Sequence, residues 1–147
     1  MPAEALAEAT GVELEPVELP APRPTRFSNA YDMLIENLEE EQAPAIEDPF
    51  LKNRMWFASR LARHLRHADR LGPAFEEQEL DDMGALLGKR PADLKQGHRQ
   101  VDQLVRGASP DRDEEFVRYF YRHARREEAL MEGALGLCEG AQLAPLR

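Results

Sequence analysis

Cysteine is almost missing from this chain: there is one, Cys138, in 147 residues. A lone thiol closes no internal disulfide, so a reducing cytoplasm is the expected setting. No long uncharged apolar run occurs, which excludes a transmembrane helix and with it a membrane role. The opening stretch MPAEALAEATGVELEPVELP is acidic where a secretion signal would be basic and then apolar. A surplus of positive charge is lacking too, since the formal net charge is −9. That argues against a general nucleic-acid binder, which presents a basic footprint. Sustained alternation of apolar and polar residues is absent beyond the first 24 residues, and no Asn-Gly or Asp-Gly pair marks a hairpin, so strands are not expected. There is no internal repeat, no Walker-type loop, no Gly-x-Gly-x-x-Gly and no Gly-x-Ser-x-Gly.

What remains is a helical pattern in a charged chain, with 42% hydrophobic and 32% charged residues, long enough for one domain with a real core. Residues 1–24 hold five of the eleven prolines and five glutamates against one arginine, a composition that resists helix propagation. An extended or disordered acidic arm is expected over 1–26, with Val12, Leu14, Val17 and Leu19 as apolar contacts if it orders on a partner. From Ser28, a fair N-cap, Phe27, Tyr31, Leu34, Ile35 and Leu38 recur at helical spacing. Asp48-Pro49 is a capping carboxylate followed by proline, and opens a helix expected to stop at Gly72. Pro73 is expected to open a third helix closed by Gly88, Pro91 a fourth closed near Gly107, and Ser109-Pro110 a last one running toward Leu135. The expectation is an all-α five-helix bundle over 27–137 behind the proline-rich arm, with a frayed tail over 138–147.

Charge is segregated along this pattern. Residues 28–48 carry seven acids and no Lys or Arg, and residues 73–88 five acids and no base. Between them, 50–71 hold Lys52, Arg54, Arg60, Arg63, Arg66 and Arg70 against Asp69 alone. On a helical wheel Leu51, Met55, Ala58, Leu61, Ala62 and Leu65 gather on one side, expected to face the core. Lys52, Trp56, Arg60, Arg63, His67 and Arg70 form a stripe on the other. Two readings stay open. Acidic neighbouring helices neutralise the stripe within the chain, each exposed pair contributing little; or the stripe meets an acidic partner or a phosphorylated ligand, with Trp56 and its arginines as anchors. Arg54 projects into the apolar arc, where a cation must be paired or snorkel outward, so a buried ion pair with a carboxylate of the first helix or of Glu47-Asp48 is expected.

Nothing assembles a catalytic centre. His64 and His67 are three apart, a spacing that offers a metal two ligands without a third, and the surrounding arginines repel a cation. No Glu-x-x-His motif supports a di-iron bundle. Cys138 has no histidine partner to activate it. No metal and no cofactor are expected.

The stretches RLGPAFEEQELDDMGALLG (70–88) and DLKQGHRQVDQLVRG (93–107) carry a resemblance. With Arg54, the Leu71-Gly72-Pro73 turn, the Leu86-Leu87-Gly88 stop and Arg106-Gly107, the chain resembles, over roughly residues 30–132, a bacterial family of small helical proteins of unknown function. Members are encoded beside aminoglycoside-phosphotransferase-like kinases and acyl-CoA dehydrogenases, and the family includes the small subunit of the hydroxyacyl-CoA kinase of levulinate catabolism. The acidic arm departs from that pattern, as does Met131-Glu132-Gly133-Ala134, where relatives carry an Asn-Pro-containing tail. The resemblance implies a non-catalytic accessory subunit that binds and supports a phosphotransferase-type kinase. The rival expectations are a stand-alone acyl-CoA or small-ligand binding bundle, and a stand-alone enzyme using histidines and carboxylates. A homodimer is open under each, since acidic and basic helices could pair between copies.

Overall fold

A computed structural model describes residues 2–132, and they are all-helical, without strands. Five helices follow in order: α1 Pro2–Thr10, α2 Ser28–Glu36, α3 Pro49–Leu87, α4 Leu94–Gly107 and α5 Asp113–Leu130. Beyond α2 the chain continues through a wide π turn, Asn37–Gln42, and a short helical turn, Ala43–Ala45. Gly11 follows α1 at φ +70°, and residues 12–24 form neither helix nor strand. The expected end of the last helix at Leu135, the tail over 138–147 and Cys138 lie outside the described residues.

Five helices are present, but not the five expected over 27–137: α1 lies within 1–26, the stretch expected to be an extended or disordered arm, and four fall beyond it. The helices expected over 49–71 and 73–88 are one helix of 39 residues with Pro73 inside it. Proline removes one N–H and clashes with the carbonyl four residues back, yet it need not end a helix if the freed groups find partners. The carbonyl that Pro73 leaves without its N–H is that of Asp69; next to it the Arg70 carbonyl oxygen accepts the Arg23 N–H at 3.2 Å, and the Asp69 side chain accepts the Thr25 hydroxyl, so residues 23–25 run along the helix at this point. Gly72 is helical, with no positive φ, whereas Gly88 takes φ +76° and does close α3.

The other helix ends follow their sequence signals closely. Asp48 Oδ1 accepts the Phe50 N–H at 2.8 Å, as a capping carboxylate before proline should. For α4 the cap is Asp93 rather than Pro91: Asp93 Oδ1 accepts Gln96 N–H at 2.7 Å while Gln96 Oε1 accepts Ala92 N–H at 3.0 Å. The pair is a capping-box-like arrangement with the return bond one residue before the cap, and the helix starts at Leu94. Ser109-Pro110 opens a single 3₁₀ turn, Pro110–Arg112, that leads into α5.

The described residues fall into two compact units. The first comprises 2–20 and 74–127. Its core is Met83, Leu86, Val101, Phe116 and Tyr119, lined by Leu87, Leu94, Leu104 and Ala108. Here α4 approaches α3 through Gly97, where an added Cβ would meet Met83 Sδ and come within 2.9 Å of the Pro91 ring. The Met side chain can move and the proline ring cannot. Gly97→Ala is therefore expected to lower unfolding free energy by about 1–2 kcal/mol, net of alanine's higher helix propensity, measurable as a lower denaturant midpoint at unchanged slope.

The second unit comprises 21–73 and 128–132, and it departs from the expected helical wheel. Of the arc predicted for the core, Ala62 is buried and Met55 half-buried, while Leu51, Ala58, Leu61 and Leu65 are exposed. The packed face is instead Ser59, Ala62, Arg63, Arg66 and Arg70, rotated by roughly a quarter turn. α2 and its continuation bury Ile35 and Ala43 and present Ser28, Asp32 and Glu39, and the arginines of α3 meet those carboxylates.

Candidate functional site

The predicted basic stripe divides in two. Arg63 clasps Glu39 with both ends of its guanidinium, Nε to Oε1 at 2.8 Å and Nη2 to Oε2 at 2.6 Å, and the buried Ser59 hydroxyl donates to the same carboxylate. The Arg63 bond, against the opposing effect of burial and with help from Ser59, holds the Glu39 carboxyl below its ordinary range. Arg66 and Arg70 each reach Asp32 at 2.9 Å, and Arg70 Nε also donates to Ser28 Oγ at 3.2 Å. Asp32 is likewise lowered, chiefly by the Arg66 hydrogen bond. Neutralisation within the chain therefore accounts for Arg63, Arg66 and Arg70. Lys52 and Arg60 are half-buried and carry no ion pair among the described residues, and Trp56 is 40% exposed.

The two histidines of this helix do not converge on an ion. His64 Nδ1 lies 2.9 Å from the Leu130 carbonyl oxygen. His67 Nδ1 is buried with no hydrogen-bond partner, and burial, reinforced by Arg66 and Arg70 against Glu132, lowers its affinity for a proton.

Arg54 corrects its expectation outright. It is exposed, it forms no ion pair among the described residues, and its guanidinium lies over the Phe50 ring at 5.9 Å. The arc around it faces outward, so the charge never leaves water and needs no buried carboxylate. That outward arc is the unexpected surface of this unit. Phe50, Leu51, Phe57, Leu61 and Leu65 recur at helical spacing along the first half of α3, each 44–66% exposed. Arg60 stacks over Phe57 at 5.6 Å, so cations rim an apolar and aromatic strip.

The other unit holds a buried polar cluster that reading by spacing missed. Glu79 on α3 is 5% exposed and sits in register with the buried Phe75, Met83 and Leu86. Its Oε1 accepts the Tyr119 hydroxyl at 2.6 Å and lies 3.1 Å from His123 Nδ1. Its Oε2 takes Arg126, Nε at 2.9 Å and Nη2 at 2.5 Å. Arg126, itself 4% exposed, also meets Asp82 at 2.7 Å, and Asp82 holds Arg122 at 2.9 Å. From α4, His98 brings Nε2 to 3.9 Å from the same Oε1, its ring edge-on to His123 at 5.8 Å.

Burial by itself would raise the Glu79 carboxyl; hydrogen bonds from His123, Tyr119 and Arg126 outweigh it and hold the group at about 2. The converse holds for the partners: burial and then the Glu79 carboxylate push the Tyr119 phenol up, and the bond to Glu79 raises His123 against burial. One signal could have exposed the cluster. Glu79 occupies an apolar register on α3, and Arg126 follows Phe116, Tyr119 and His123 at helical spacing on α5. A charge of each sign on an otherwise buried face calls for a mutual partner.

A cavity of about 390 Å³ in the same unit is lined by Leu14, Val17, Gln78, Arg118, Tyr121 and Arg122 among others. Its walls also carry Glu15, Glu18, Asp81 and Asp82, so its arginines are matched by carboxylates. Gln78 Oε1 is buried there without a partner. No helix of the described residues is long and apolar enough to cross a membrane. Compared with known proteins, the chain matches no family model, no curated protein and no solved structure.

Proposed function

We propose that this chain is a non-catalytic accessory subunit that binds and supports a phosphotransferase-type kinase acting on acyl-CoA-type hydroxyl substrates in the cytoplasm. The observation that carries the interaction role is the exposed strip Phe50, Leu51, Phe57, Leu61 and Leu65 on one face of α3. Five large apolar side chains contiguous on a helix are more than the scattered exposure ordinary surfaces show, and mark a surface that a partner covers. The kinase identity rests on the family resemblance. In this reading the docking face is the apolar strip, with Arg54 over Phe50 within it and Arg60 over Phe57 at its edge, while Lys52 and Trp56 lie on the other side of the helix. Arg63 and Arg70 serve the subunit itself, since their charges are already met by Glu39 and Asp32.

The test is reconstitution with a phosphotransferase-type kinase from among the neighbours of this gene. The complex is expected to co-elute on size exclusion and to lose that behaviour in a Phe57→Asp/Leu61→Asp variant. Both residues are more than half exposed, so the isolated variant keeps its helical circular dichroism. Full kinase activity without this chain, or co-elution untouched by the double substitution, would overturn the reading.

A stand-alone acyl-CoA or small-ligand binding bundle has the 390 Å³ cavity to draw on. Its carboxylate-rich lining opposes the phosphates of CoA, so calorimetry with a CoA ester is expected to show no binding.

A further inference from the structure

We propose that Glu79, His98 and His123 form a site for a divalent transition-metal ion, zinc in the first instance, built from α3, α4 and α5. The three ligand atoms lie within 4.8 Å of one another. Two separations from Glu79 Oε1 are already 3.1 Å, to His123 Nδ1, and 3.9 Å, to His98 Nε2. Tetrahedral zinc, with bonds of about 2.0–2.2 Å to nitrogen and oxygen, spaces its ligand atoms at about 3.3 Å. His98 is the ligand that must close in. Its side chain is 49% exposed and touches no other polar partner than Glu79 among the described residues, so a small rotation is unopposed.

Two imidazoles and one carboxylate suit zinc and its first-row neighbours, and not magnesium or calcium, which take oxygen. The carboxylate is also held as metal-ligating carboxylates are held. The Tyr119 hydroxyl donates to Oε1 and Arg126 to Oε2, leaving an Oε1 lone pair toward the histidines. Arginine beside a cation site demands a charge count. Glu79, Asp82 and Glu127 stand against Arg122 and Arg126, and Asp82 occupies both guanidinium groups. Asp82 and Glu127 thus offset the two arginines, and the ligand carboxylate of Glu79 makes these named charges negative by one. Three protein ligands from three helices leave a fourth coordination position, on the solvent side where His98 is exposed.

The experiment is titration of the full chain with zinc chloride, followed by calorimetry, and with cobalt chloride, followed by visible absorption. One equivalent of zinc is expected to bind, and cobalt to give the visible bands of a four-coordinate ion. His98→Ala is expected to weaken zinc binding by about tenfold or more and to abolish the cobalt bands. It is the variant of choice because His98 is exposed and outside the core, so folding is not in question. His64→Ala is the control and should bind as the unaltered chain does. Absence of stoichiometric zinc binding, or equal binding by the His98→Ala chain, would overturn the assignment.

Discussion

Arg126→Met is expected to cost about 3–5 kcal/mol of unfolding free energy, the range for removing one partner of a buried ion pair. The guanidinium is 4% exposed and stands between Glu79 Oε2 at 2.5 Å and Asp82 Oδ2 at 2.7 Å. Methionine fills similar volume, so the loss is electrostatic rather than a cavity. It strands the Glu79 carboxylate in a low-dielectric site with only Tyr119 and His123 to compensate. A double variant, Glu79→Met/Arg126→Met, should recover most of the loss, because neither charge is then buried alone. Urea denaturation of the single and double variants checks both numbers. Equal destabilisation of the two would mean that side-chain packing, and not the uncompensated carboxylate, sets the cost.

Acid is expected to unfold the protein through the same carboxylate. Glu79 falls from an ordinary value of 4.5 to about 2 in the folded chain. The folded pKa is the lower one, so the stabilisation is complete above about 4.5. It drains away as pH falls toward 2, because there the unfolded chain takes up the proton first. The span of 4.5 to about 2 corresponds to about 3 kcal/mol at about 1.4 kcal/mol per unit. His123 acts in the opposite sense. Its folded value is raised above 6.5, so its contribution is complete below that value and fades as pH rises through the folded one. Stability measured by denaturant midpoint should therefore decline on both sides of a mildly acidic maximum. Glu79→Gln should flatten the acid limb; an acid limb unchanged in that variant would assign it to other carboxylates, such as Glu39 beside Arg63.

Leu61 and Arg54 show how far sequence reading reached. The wheel sorted the residues of the first half of α3 into an apolar arc and a basic stripe; the placing of the whole arc in the core was off, whereas neutralisation by an acidic neighbour holds for Arg63 and Arg70 of the stripe. Hydrophobic periodicity reports which residues share a face, and says nothing of which neighbour that face meets. In the folded chain α3 turns Ser59, Ala62, Arg63, Arg66 and Arg70 toward its neighbours, its arginines on Asp32 and Glu39, so the packed face falls between the two stripes and Leu61 stays in water. Pro73 makes the same point for the backbone. Its local rule is to stop a helix, yet α3 runs through it, and beside the break the Arg70 carbonyl accepts the N–H of Arg23 from 47 positions earlier in the chain.

Local chemistry, then, was legible from the sequence: helices without strands among the described residues, the Asp48 cap, the Gly88 stop, the charge segregation. Each depends on residues within a few positions of one another, where one turn of helix sets the partners. The Glu79, His98, Tyr119, His123 and Arg126 cluster was not legible, because its members are up to 47 residues apart and no spacing rule joins them. Only the packing of α3, α4 and α5 brings those side chains onto one carboxylate. A buried charge takes whichever partner the fold delivers, and that delivery is a property of three helices together.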